Sequence, residues 1–186
     1  MPAALLPKEE VLARLLATFR EDGYDGASLS ELSQRTGLGK SSLYHYFPGG
    51  KQEMATAVLA HLDVVLGEAF ATALAAKTPE AKLARLLDAV DAFYSGGRSA
   101  CVLERLVASV DRQAFAKPLA RAFGAFASAF AEIGRAAGLK ERVAAARAEA
   151  AVVRIEGALV VAAGTGDFGV FARTLADIKR SFLAEA

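Results

Sequence analysis

Tryptophan is absent from the 186 residues, and cysteine occurs once, as Cys101. No intramolecular disulfide can form, so a disulfide-stapled scaffold is excluded and the lone thiol suits a reducing cytoplasm. Histidine is scarce too. His45 and His61 lie far from each other and from Cys101, no metal-ligand spacing is visible, and no cofactor is implied. An excess of either charge is also missing: 22 basic against 21 acidic residues leave a formal net charge of +1. A nucleic-acid surface, if there is one, has to be local. The most apolar stretch, residues 148–164, is interrupted by Glu149, Arg154 and Glu156, which argues against a membrane span. Residues 1–6 are short and lack a basic start, so they do not read as a signal peptide. No serine has a His/Asp partner in a recognisable elbow, and no phosphate-binding glycine loop follows a strand. The expected setting is cytoplasmic, and an enzyme is not expected.

What is present is apolar and helical. Apolar residues make up 54% of the chain, enough to bury a core, and alanine and leucine dominate. Leu12, Leu15, Leu16 and Phe19 form one stripe at helical spacing, closed by Gly23. Ser28 with Glu31 three residues on reads as a capping box opening a second helix. The run Thr36-Gly37-Leu38-Gly39 is a tight turn, a short helix covers 40–46, and Pro48-Gly49-Gly50 breaks it. Longer helices are expected over 51–77, 79–94, 115–137, 140–163 and 167–184, with a shorter one holding Val102, Leu103 and Leu106. The expected fold class is all-α with nine helices: an N-terminal three-helix helix-turn-helix over 1–50, and a helical bundle over 51–186.

Residues 29–47 carry a support helix, a glycine turn and a recognition helix, the parts a helix-turn-helix needs. Leu29, Leu32, Leu38, Leu43 and Phe47 are placed to form its small core. Lys40, Ser41, Ser42, Tyr44 and His45 are then left facing outward, and such side chains suit phosphate oxygens and base edges. From Gln34 to Gln52 there are three cations, Arg35, Lys40 and Lys51, and no acid. Lys51 also stands at the start of the next helix, where backbone N–H groups attract phosphate. Pattern alone also fits three solvated helices with a polar third one.

The segment 11–59 resembles the DNA-binding region of the TetR/AcrR regulators. The resemblance rests on Phe19, Gly23-Tyr24, Ser28-Leu29-Ser30-Glu31-Leu32, Gly37-Leu38, the run from Lys40 to Phe47, and Lys51. The turn Phe47-Pro48-Gly49-Gly50-Lys51 resembles the subgroup related to lincomycin- and flavonoid-responsive repressors. The resemblance implies that Lys40, Ser41, Ser42, Tyr44 and His45 contact bases or phosphates, and that Lys51 contacts a phosphate. Gly39 departs from the family pattern, which often has serine there.

Two apolar features mark the body. Residues 148–163 are apolar almost all round, so that helix should be buried on two sides. Phe171, Leu175, Ile178 and Phe182 recur at steps of four, three and four, a packing seam. Either stripe also fits an intrachain core. The resemblance assigns the last two helices to a homodimer interface, with the seam as its expected contact. The aromatics Phe93, Phe123 and Phe126 are candidate lining residues for a small hydrophobic effector. The expected partners are a palindromic DNA operator, that effector and a second copy, with no membrane. The expected activity is that of a repressor released by the effector. The rival readings are a small-molecule binding or carrier module without DNA binding, and a helical enzyme, which lacks a catalytic constellation.

Overall fold

The computed structural model describes residues 6–184, which hold nine α-helices and no strand. The reading of residues 1–6 as no signal peptide therefore falls outside the described residues, apart from Leu6. The helices run α1 Lys8–Gly26, α2 Leu29–Thr36, α3 Lys40–Tyr46, α4 Gly50–Leu74, α5 Pro79–Phe93, α6 Val102–Val107, α7 Arg112–Ala136, α8 Glu141–Thr165 and α9 Gly169–Ser181. The all-α class and the helix count stand as expected. Boundaries shift by at most three residues: α7 begins three before the expected Phe115, α4 ends three before the expected 77 and α9 three before the expected 184. Pro118 is the seventh residue of α7, past the first turn, so the bond that an N–H there would make to the Ala114 carbonyl is missing from the helix.

The chain divides into two compact units, but not at the expected 50/51 seam. The first comprises residues up to Val64 together with Val102–Ala120; the second comprises Val65–Cys101 with residues from Arg121 onward. The difference has a physical cause. The first three helices cannot bury their apolar faces among themselves, and α6 packs against α1 to complete the first unit. Val11, Leu15, Phe19, Leu32, Leu43 and Phe47 are buried there beside Leu103, Leu106 and Phe115. Each such side chain contributes roughly 1.5–3 kcal/mol on burial. By length and composition α4 could cross a membrane, a property not expected from its sequence. Within the first unit it behaves as a core helix, burying Met54, Ala55, Val58, Leu59 and Leu62.

In the second unit α9 packs on α8 and α5. Its core is aromatic. Phe70 stacks on Phe126 at 5.5 Å and 11°, Phe126 meets Phe130 at 5.6 Å, and Phe130 meets Phe182 at 5.4 Å. A second cluster joins Phe93, Tyr94 and Phe171 through edge contacts at 5.0 and 6.0 Å. Gly97 makes this second cluster possible. Its φ is +84°, and a Cβ there would lie 2.6 Å from the Cβ of Phe171, so no larger residue fits.

Candidate nucleic-acid interface

The helix-turn-helix is built by local caps. The Ser28 hydroxyl accepts from the Glu31 amide at 3.2 Å, and the Glu31 carboxylate accepts from the Ser28 amide at 2.7 Å. The capping box read from the sequence is therefore complete, and those bonds hold the Glu31 carboxyl below its usual range. Gly37 ends α2 in the left-handed conformation. The turn is tied further by Ser33, which donates to the Leu38 carbonyl at 2.6 Å. Arg14 of α1 donates to the Thr36 carbonyl at 2.7 Å, and its other terminal nitrogen reaches Glu10 at 2.5 Å. Sequence reasoning missed Arg14. The bond crosses 22 positions of chain, and a single arginine on a helix surface carries no periodic signature.

On α3, Leu43 and Phe47 are buried while Lys40, Ser41, Tyr44 and His45 are exposed and Ser42 is half-buried. The division between inward and outward positions is the expected one except at Ser42. Gly39 caps α3 without a side-chain hydrogen bond. Tyr44 is not simply solvated: a Cβ on Gly50 would lie 3.5 Å from its ring, so the ring rests on the turn into α4. Tyr46 donates to the Leu6 carbonyl at 2.7 Å, which ties the chain before α1 to this helix.

The local cations stand differently from one another. Arg35 is engaged by Glu21 and, at 3.3 Å, by Asp22, so its charge is compensated inside the chain. This removes Arg35 from the basic patch that its sequence position suggested. Lys51 is half-buried; its ammonium donates to the Tyr24 carbonyl at 2.9 Å and lies 4.5 Å from the centroid of the Tyr24 ring. The amide of Gly49, just before α4, donates to the Glu53 carboxylate at 2.6 Å. One of the donors expected to attract a phosphate at this helix start is thus already bonded to an acid. Lys40 stands exposed on α3.

The other expected site residues lie in the second unit. Phe171, Leu175, Ile178 and Phe182 are all buried within the chain, 7% exposed at most. This corrects their assignment to a dimer contact: the seam is the inner face of α9, packed on α8 and α5. A four-three-four spacing cannot tell a partner helix from the chain's own. An outward apolar surface lies on α8. Val153, Val160 and Val161 are 64%, 56% and 46% exposed, and Gly157 and Gly164 share their helical face. The opposite face of α8 buries Ala144, Ala148, Ala151, Ile155 and Leu159. Of the effector candidates, Phe126 is buried in the aromatic core, while Phe93 and Phe123 are half-buried. Two described grooves, one lined by Arg147, Arg154 and Phe182 and another by Leu87, Asp91 and Leu175, include none of the three.

Residues 11–58 match the family model of bacterial regulatory proteins, tetR family. The HTH-type transcriptional regulator LmrA of Bacillus subtilis (strain 168) is 29% identical over 75 residues, a stretch that is 40% of this chain and 40% of LmrA. The chain superposes on a TetR transcriptional regulator from Legionella pneumophila with a TM-score of 0.85 at 18% identity, covering 97% of this chain and 99% of that one. It also superposes on a cysteine mutant of the TetR family regulator CifR complexed with 26bp double-strand operator DNA; the TM-score is 0.74 at 23% identity, over the whole of both chains. The matched segment spans α1, α2, α3 and the first turns of α4, the same residues that build the capped helix-turn-helix. Residues 11–58 thus match the tetR family of bacterial regulatory proteins, and the chain as a whole shares the fold of the TetR-family structures on which it superposes.

Proposed function

We propose that this protein is a DNA-binding transcriptional regulator, a repressor that binds a palindromic operator as a homodimer and is released by a small hydrophobic effector. One observation carries the reading: α3 buries Leu43 and Phe47 while it presents Lys40, Ser41, Tyr44 and His45 to solvent on a stretch with no acid. A helix so divided fits the major groove, where amide, hydroxyl and cationic groups read base edges. Ser42 at its margin and Lys51 at the start of α4 are placed for phosphate contact. The operator complex of CifR supports the same use of the fold. The outward apolar face of α8 supports the homodimer, because a patch of Val153, Val160 and Val161 is stabilised by a second copy rather than by water. Two recognition helices would then meet half-sites about one helical turn apart. Aromatic richness in the second unit supports an apolar effector, with the half-buried Phe93 and Phe123 in reach of one and Phe126 as its core backing.

Gel shift with the DNA upstream of the protein's own gene tests this reading. Wild type retards that DNA, and Tyr44→Ala weakens binding by about 1–3 kcal/mol if Tyr44 reads a base edge. A folded wild-type protein that binds neither this DNA nor a mixed-sequence duplex would remove DNA binding and favour a small-molecule carrier.

A further inference from the structure

Tyr24 is the meeting point of three segments of the first unit. Gly23 leaves helical geometry at φ +71° and ψ 171°, which turns the end of α1 and buries Tyr24. The Tyr24 hydroxyl donates to the Asp111 carboxylate at 2.9 Å, across 87 positions of chain. The next residue, Asp25, accepts from the Val110 amide at 3.1 Å, so two consecutive residues at the end of α1 clasp two consecutive residues before α7. The Tyr24 ring packs edge-on against Phe115 at 5.1 Å and near Phe19 at 6.0 Å. From the other side Lys51 donates to the Tyr24 carbonyl and lies over its ring. Burial, and after it the bond to Asp111 and the charges of Asp111 and Asp25, push the phenol far above its ordinary range. The hydroxyl therefore stays protonated and keeps donating at any physiological pH.

We infer that Asp111 is a positioning residue for DNA binding, which through Tyr24 holds Lys51 in place at the start of α4. The inference rests on the proposed DNA-binding function. Asp111 touches no DNA in this scheme. It fixes the tyrosine, the tyrosine's carbonyl and ring fix the ammonium, and the ammonium meets a phosphate with its remaining N–H groups. The sign of the effect separates this role from its alternatives. Asp111 is an exposed acid. If it acted on DNA only through its charge, its removal would strengthen binding to a polyanion. Positioning requires the opposite.

The test measures affinity for a short mixed-sequence duplex against salt concentration, with melting temperature recorded for each protein. Lys51→Ala lowers the slope of log affinity against log salt by about 1, the loss of one phosphate contact. Asp111→Ala and Tyr24→Phe are expected to weaken binding several-fold and lower the slope in the same direction. Asp111→Asn, which keeps an acceptor for the hydroxyl, is expected to rescue both. Combined with Lys51→Ala, Asp111→Ala is expected to add no further loss. Tighter binding by Asp111→Ala, an unchanged slope in folded Tyr24→Phe, or additive losses in the double variant would overturn the inference while leaving the proposed function intact. A wild type without duplex affinity, or a Lys51→Ala slope equal to wild type, would overturn it along with the role given to Lys51.

Discussion

At the scale of single residues, the interface depends on caps and ties more than on ion pairs. Glu31 is the clearest case, because its carboxylate closes the box over Ser28 and its pKa is lowered by doing so. A carboxyl depressed in the folded state stabilises above its unfolded pKa, and that stabilisation is lost as pH falls through the folded value. Wild type should therefore exceed Glu31→Ala in denaturant stability at neutral pH. The gap should close only in acid, beginning near the ordinary carboxylate range and ending below it. A gap that widened in acid would contradict the assignment. Ser28→Ala removes the other half of the box and should cost about 0.5–2 kcal/mol at neutral pH. Both residues were legible in the sequence because a capping box is a local pattern. Arg14, Asp111 and Asp25 were not. Their partners lie 22, 87 and 85 positions away, and nothing in local composition marks such pairs.

At the scale of elements, periodicity showed where helices run and which side of α3 faces out, because burial repeats at 3.6 residues whatever the partner is. The same rule explains the error at α9. A stripe identifies an apolar face but not the chain that covers it, and Phe171, Leu175, Ile178 and Phe182 turned out to be covered by the chain's own helices, α5 and α8 with Phe130 of α7. For α8 the two-sided reading was sounder, since one face is core and the other is exposed valine and glycine. Substitutions on the two helices should therefore separate folding from assembly. Val153→Glu places a charge on the outward face of α8, and the protein should remain folded while sedimenting as a monomer. Leu175→Ala hollows the inner seam and should cost about 2–5 kcal/mol of stability. A dimer unaffected by Val153→Glu would move the interface off this face of α8.

At the scale of the whole molecule, the first unit is discontinuous in sequence. The functional seam reads at residues 48–51 because the recognisable motifs fall before it, but motif spacing says nothing about what completes a core. Leu103, Leu106 and Phe115 belong to the same unit and are buried in it. A fragment ending at residue 64 should accordingly lack cooperative thermal unfolding and dispersed amide resonances, while the full chain has both. A fragment that melts cooperatively on its own would show that α6 and the start of α7 are dispensable. The split has a consequence for synthesis. Chains are made at about 5–20 residues per second and tend to fold from the N-terminus. Here the helices that would read DNA leave the ribosome first, yet α6 and Phe115, which close their core, follow only after the stretch Val65–Cys101 of the other unit has been made. For a time on the order of seconds the nascent head lacks α6 against α1, so chaperone demand should peak before residue 120 and fall after it.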